Sequence, residues 1–282
     1  MPYRLLALDV DGTLLDPSGV LRPTVLQAVA AVQQRGVRVV LCTGRRFRSA
    51  LPLAQALQLR EPLVVHNGAL IKEWTSGTTL HQCCIPAEVC RQVLPLLRQV
   101  STPMAYVDAF HEQVDIVTEP LEQAHPFQRE YLQDNLVHCR IVSSHTVPLP
   151  YGVVMISIMA EEERLRALRP QILQALGTQA RVNLLINKNY QGHILEVLPP
   201  TVSKWAALYQ LAVQLGIATQ DILAVGDDEN DLEMIRHAGL GVAMGNATAT
   251  VKAAADYVTG SNAEDGLVQA IHRFILSDGT DR

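Results

Sequence analysis

The chain has 282 residues, 48% of them hydrophobic and 18% charged, with a formal net charge of -5. That length suits one large domain or two ordinary ones, and the composition excludes a disordered or fibrous protein. Acids and bases are interspersed and no run of about 18 apolar residues occurs, so neither nucleic acid nor membrane is expected as a partner. The opening MPYRLLALDV runs too quickly into acids to act as a signal peptide, and a cytoplasmic location is expected. Five cysteines, Cys42, Cys83, Cys84, Cys90 and Cys139, are odd in number and lack zinc-ligand spacing. They read as reduced thiols behaving as small hydrophobes.

In chain order, RLLALD (4–9), VRVVLCT (37–43) and PLVVHN (62–67) read as short buried strands. RPTVLQAVAAVQQRG (22–36) reads as a helix that opens at Pro23 and stops at Gly36, and RFRSALPLAQALQL (46–59) as the next one. From about residue 80 to 187 the pattern changes to longer, alternating strands: MAYVDAFHEQVDIV, YGVVMISIMA, RVNLLINK and, beyond them, GHILEVLP. Two helical stretches, PAEVCRQVLPLLRQV and EEERLRALRPQILQALG, carry Pro95 and Pro170, which put their middles in doubt on propensity. EPLEQAHPFQREYLQDN fits no element by pattern. From Lys204 the helix–strand alternation resumes through KWAALYQLAVQLG, DILAVGD, ENDLEMIRHAG, LGVAM, ATATVKAAA, DYVT and AEDGLVQAIHRFIL.

The predicted architecture is therefore α/β: a Rossmann-like, doubly wound parallel sheet in two pieces, residues 1–82 and 188–282, with an α+β insert at 83–187.

In such a sheet the carboxyl ends of the strands line one crevice. The first strand delivers Asp9 and Asp11, the second Thr43, Gly44 and Arg45, the third His66, Asn67 and Gly68. DILAVGDDENDLEM delivers Asp227, Asp228, Asn230 and Asp231. A cluster of acids needs a counter-charge, and an all-oxygen ligand set points to a hard divalent ion, Mg²⁺, rather than zinc. Mg²⁺ in turn pairs with substrate phosphate oxygens, so a phosphorylated small molecule is the expected partner. Thr43 offers a hydroxyl beside Gly44 at a strand-to-helix turn, where backbone N–H groups meet anions. Lys204, one of four lysines, opens a helix within reach of a phosphate and a carboxylate.

DVDGT, TGR, the lysine of VSKWAAL and GDDENDLEM, in that order, resemble the four motifs of the haloacid dehalogenase (HAD) superfamily of phosphotransferases. NGALI, GVAMGNA, ADYVT and EDGLVQAI narrow the resemblance to its Cof-like branch with a type IIB (C2B) cap. The resemblance covers both core segments, while the cap matches by length and position only. It implies that Asp9 is the nucleophile that forms an aspartyl-phosphate, and that Asp11 is the general acid and then base, its backbone carbonyl on Mg²⁺. Thr43, Gly44, Lys204 and Asn230 would hold the phosphate, with Asp9, Asp11 and Asp227 on the metal. Asp231 would orient a metal-bound water or Lys204.

Asp228, where the family often has a small residue, is expected to face solvent or stand outside the metal's ligands. Arg45 either contacts substrate or pairs with an acid, with the substrate favoured; Asn67 either contacts substrate or caps its turn. The histidines, His66 and His193 among them, have no ligand spacing and read as structural, and the stretch 188–193 carries no assigned role. The expected activity is hydrolysis of small phosphomonoesters, sugar phosphates first, with nucleotides or pyridoxal phosphate as other substrates and the cap closing to exclude water. A sugar phosphomutase and a phosphorylatable receiver-like module are the alternatives. The oligomeric expectation is a monomer or homodimer.

Overall fold

The computed structural model describes residues 3–144, 152–187, 190 and 192–277. Lys188, Asn189 and Gln191, within the stretch 188–193 that carries no assigned role, lie outside the described residues. The chain forms two compact units, Met1–Leu80 with Ser203–Arg282, and His81–Val202.

The first unit begins with β1 (Leu5–Leu8), α1 (Pro23–Gln34), β2 (Arg38–Leu41), α2 (Phe47–Ala56), β3 (Leu63–Val65), β4 (Leu70–Lys72) and β5 (Thr79–Gln82), the last of which crosses into the second unit. Pro23 opens α1, where its missing N–H costs nothing, and Gly36 at φ 79° follows its end. Pro52 lies inside α2, whose buried face of Phe47, Ala50 and Ala54 keeps it helical.

The second unit contains α3 (Ala87–Leu97), β6 (Met104–Ala109), β7 (Val114–Thr118), α4 (Pro126–Asp134), β8 (Cys139–Ile141), β9 (Val153–Ala160), α5 (Glu162–Leu176), β10 (Arg181–Ile186) and β11 (His193–Leu198). Its six strands run in the order β10-β11-β9-β6-β7-β8, antiparallel except for the β7–β8 pair. One core unites Val89, Val93 and Leu97 of α3 and Leu165, Leu168, Ile172 and Leu176 of α5 with the inward residues of the sheet. That burial carries both helices through Pro95 and Pro170 without a break, against a local cost of about 3 kcal/mol for an interior proline.

Three expectations change here. MAYVDAFHEQVDIV is two strands, because the chain turns at Phe110–Glu112 and Gln113 takes φ 61°. YGVVMISIMA does not alternate, since all eight residues of β9 are buried. The stretch without a pattern holds α4, packed against β9.

The boundary expected at 188 moves as well. β11 pairs with both β9 and β10, so the chain stays with the insert until Val202.

The first unit resumes with α6 (Lys204–Gln214), β12 (Ile222–Gly226), α7 (Leu232–His237), β13 (Leu240–Ala243), α8 (Ala249–Ala254), β14 (Tyr257–Val258) and α9 (Gly266–Ile271). Its main sheet has the order β14-β13-β12-β1-β2, all parallel. A single parallel bridge from Cys42 to Val64 leads on to β3, which pairs antiparallel with β4. Alternate residues Leu5 and Ala7, Val40 and Cys42, and Ile222 and Ala224 pack on Ala207, Leu208, Leu211 and Ala212 of α6. The chain leaves β1 towards β2 on one side and returns to β12 on the other. The strand order therefore reverses between β1 and β12, the point at which a doubly wound sheet opens a crevice at its strand ends.

Candidate active site

Asp9 follows β1 and Asp227 follows β12, so parallel pairing of Leu8 with Val225 sets the two acids side by side. After Asp9 the chain turns sharply. Gly12 takes φ 89°, a value that penalises residues with a Cβ, and Leu15 N–H closes the turn on the Val10 carbonyl at 3.0 Å. Asp231 arrives from the short turn Glu229–Asp231 ahead of α7. Its Oδ2 accepts from the backbone N–H groups of Asp227 at 3.0 Å and Asp228 at 3.1 Å. A Cβ at Gly226 would lie 2.5 Å from the Asp231 Cγ, so glycine there lets the carboxylate fold back under the strand end.

Lys204 is the first residue of α6, whose N-cap Ser203 accepts from Ala206 N–H at 3.1 Å and donates to Glu233 at 2.5 Å. Its side chain is 1% exposed, and the ammonium donates to Asp9 Oδ1 at 2.6 Å and Asp231 Oδ1 at 2.7 Å. Burial pulls the Lys204 pKa down, but the charges of Asp231 and Asp9 and their hydrogen bonds outweigh it and hold the ammonium well above its ordinary value.

Ligand oxygens of Asp9, Asp227 and Asp231 lie within 4.8 Å of one another, and all three residues are buried. The Asp11 side chain is not among them: Arg45 grips it through Nε at 2.7 Å and Nη2 at 2.6 Å, a bidentate pair with both partners partly buried. Arg45, favoured in the sequence as a substrate contact, thus stands in this structure on the acid beside the strand end. Burial opposes the charge on Arg45, yet the Asp11 pair keeps its pKa above the usual value.

Thr43 is buried, its Oγ accepting from Arg45 N–H at 3.1 Å and its carbonyl from Asn67 N–H at 2.9 Å. Asn67 sits in a tight turn at φ 55°, and its Oδ1 accepts from Asn230 Nδ2 at 2.9 Å. Gly44 stands against Asn67, whose Oδ1 a Cβ there would approach to 3.1 Å. Asn230 thus turns its amide N–H to Asn67. Asp228 caps the turn ahead of α7, accepting from Glu229 N–H at 2.7 Å, and stays half-buried. His66 is buried at φ 49° beside Asn67.

One residue passed over in the sequence joins this group. Asn246, in the loop after β13, donates from Nδ2 to the Gly12 carbonyl at 2.9 Å and to Asp227 Oδ2 at 3.2 Å. It is uncharged and follows the last long strand of the sheet, so only its place in GVAMGNA marks it in the sequence.

The five cysteines are free. Burial pushes the Cys42 thiol far up and Cys90 to about 11, so neither supplies a thiolate near neutral pH. Among the described residues no helix is long and apolar enough to cross a membrane.

The sequence matches the haloacid dehalogenase-like hydrolase family over residues 6–271. It is 32% identical to the HMP-PP phosphatase of Cronobacter sakazakii over 244 residues, 86% of this chain and 85% of that protein. It is 27% identical to the pyridoxal phosphate phosphatase YbhA of Escherichia coli over 98% of this chain and all of that one, 100%. Among solved structures, a HAD subclass IIB sugar phosphatase superposes with a TM-score of 0.79 at 24% identity, covering 96% of this chain and 99% of that one. The parallel sheet with acids at its strand ends and the match along nearly the whole sequence lead to one conclusion: this chain belongs to the haloacid dehalogenase-like hydrolase family.

Proposed function

We propose that the chain is a Mg²⁺-dependent phosphatase that hydrolyses small phosphomonoesters, sugar phosphates foremost, through an aspartyl-phosphate on Asp9. The observation that carries this reading is the buried group of Asp9, Asp227 and Asp231, with the Lys204 ammonium on Asp9 and Asp231. Three carboxylates buried so close together are costly to keep ionised, and a divalent cation among them would offset that cost. The donors are all oxygen, which suits Mg²⁺ and not a thiolate- or imidazole-seeking metal. Asp9, Asp227 and the Asp11 backbone carbonyl would hold the ion. When bound, it supplies positive charge to the acids and to the phosphoryl oxygens.

The rest falls to the chain's own groups. Asp9 attacks phosphorus as the bond to the leaving oxygen breaks, and Asp11 gives that oxygen a proton. In the second half Asp11 takes a proton from water, which attacks phosphorus, releases inorganic phosphate and restores the Asp9 carboxylate. Arg45 orients Asp11, and its grip has to loosen when Asp11 carries the proton. Lys204 keeps Asp9 ionised and, with Thr43, Gly44 and Asn230, takes the phosphoryl oxygens. Positioning and charge are what this transfer chiefly requires.

These groups recognise a phosphoryl group and little else. The substrate class rests on relatives whose names state a pyridoxal phosphate, HMP-PP or sugar phosphatase activity. The test is a phosphate-release screen over phosphorylated sugars, nucleotides and cofactors, with Mg²⁺ and with chelator. The expected result is inorganic phosphate from a sugar phosphate, abolished by chelator and restored by Mg²⁺. Equal rates in chelator, or an isomerised sugar phosphate without phosphate release, would overturn the reading.

A further inference from the structure

The geometry points to Asn246 as a positioning residue that pre-assembles the metal-holding strand ends, an inference that rests on the proposed Mg²⁺ site. Its amide has two hydrogens and spends both on the two segments that a cation there has to bridge. One goes to the Gly12 carbonyl in the turn after Asp9 and Asp11, at 2.9 Å, the other to Asp227 Oδ2 at 3.2 Å. Its Oδ1 accepts from Asn262 N–H at 2.9 Å. Two acceptors on one side and a backbone donor on the other fix which end of the amide is nitrogen.

The brace is anchored at its back. Asn262, in the loop after β14, donates from Nδ2 to the Leu15 carbonyl at 2.8 Å, so a second asparagine ties Asn246 back to the turn that follows Asp9. Gly245 N–H donates to the Gly260 carbonyl at 2.9 Å, and a Cβ at Gly245 would meet Ser261 N at 2.6 Å. That close approach of residues 245 and 260 leaves Asn246 little freedom to swing away. The residue carries no charge, so it orients the Asp227 carboxylate without neutralising it and leaves that task to the cation. Groups that orient metal ligands in this way are typically worth about ten-fold or more in metal affinity.

Asn246 is exposed apart from these bonds, so its removal opens no core cavity. A residue that merely stabilised the loop would change the metal-free melting temperature and leave the metal affinity alone. A positioning residue does the reverse. The experiment titrates MgCl₂ against the melting temperature of the full chain for wild type, Asn246→Ala and Asn246→Ser, with kcat and KM measured across the same series.

Wild type should show a Mg²⁺-dependent rise, and Asn246→Ala a midpoint about ten-fold higher. Asn246→Ser, which keeps one donor, should fall between, and it carries the test should the alanine variant fail to fold. KM at saturating Mg²⁺ should stay near wild type, with the lost activity recovered as Mg²⁺ is raised. Wild type and both variants shifting at the same concentration would overturn the role of Asn246 and leave the metal site standing. No shift in wild type would overturn the metal site and, with it, this inference.

Discussion

Two buried polar groups, one in each unit, serve opposite ends. In the core, Asp9, Asp227, Asp231 and Lys204 are buried together at the ends of parallel strands and in adjoining turns. In the insert, Gln128 is fully buried yet neutral and satisfied: its Oε1 accepts from Ser101 Oγ and Met159 N–H, both at 3.0 Å, and its Nε2 donates to the Thr102 carbonyl. The Gln128 network closes on itself and serves packing. The core group instead gathers three carboxylates within reach of one another, the kind of charge cluster found at functional sites.

Substitutions sharpen that contrast, beginning where the effect should be largest. Asp9→Asn removes the attacking carboxylate and should lower kcat by roughly four orders of magnitude, about 5.4 kcal/mol of barrier, while circular dichroism reports an intact fold. Activity near wild type would take Asp9 out of its role.

Lys204→Met takes the ammonium away from two buried carboxylates and should cost about 3–5 kcal/mol in chelator, read by urea unfolding, with part of the loss recovered in Mg²⁺. Because the folded-state pKa of Lys204 is raised, the stability from this ion pair is fully present below the ordinary lysine value of 10.5. It fades only as pH climbs through the folded-state value, so a loss of stability between pH 8 and 10 common to wild type and Lys204→Met belongs to other groups.

Gln128→Leu leaves the Met159 N–H and the Thr102 carbonyl without their partner and should destabilise by about 2–4 kcal/mol. At temperatures where both proteins are folded, its kcat on a minimal phosphoester should stay within about three-fold of wild type, since the site lies in the other unit. A collapse of kcat in that folded protein would erase the division of labour between the units.

How much of this could be read beforehand follows the same division. Asp9, Thr43 and Asp227 follow short apolar runs and Lys204 opens a helix, so the strand and helix pattern is enough to bring them to one end of the sheet. Direction was not legible. That the Asp11 side chain turns to Arg45 while Asp231 turns inward depends on the Gly12 turn and on the room Gly226 leaves, neither of which is a matter of spacing. Asn246 escaped because an amide after a strand carries no charge signal.

In the insert the turn after β6 lacks glycine and proline and is made by Gln113 in a left-handed conformation, so 104–117 looked like one strand. The residues of β9 are buried throughout, which hides the alternation a half-exposed strand would show. Pro95 and Pro170 argued against helices that the packing of Leu97, Leu168 and Ile172 nonetheless enforces.

The central claim is that Asp9 takes the phosphoryl group onto its own carboxylate. Quenching the enzyme during turnover and reducing it with borohydride converts an aspartyl-phosphate to homoserine, which peptide mass spectrometry locates. The account predicts homoserine at position 9, formed only when substrate and Mg²⁺ are both present; sustained phosphate release with residue 9 recovered wholly as aspartate would contradict it.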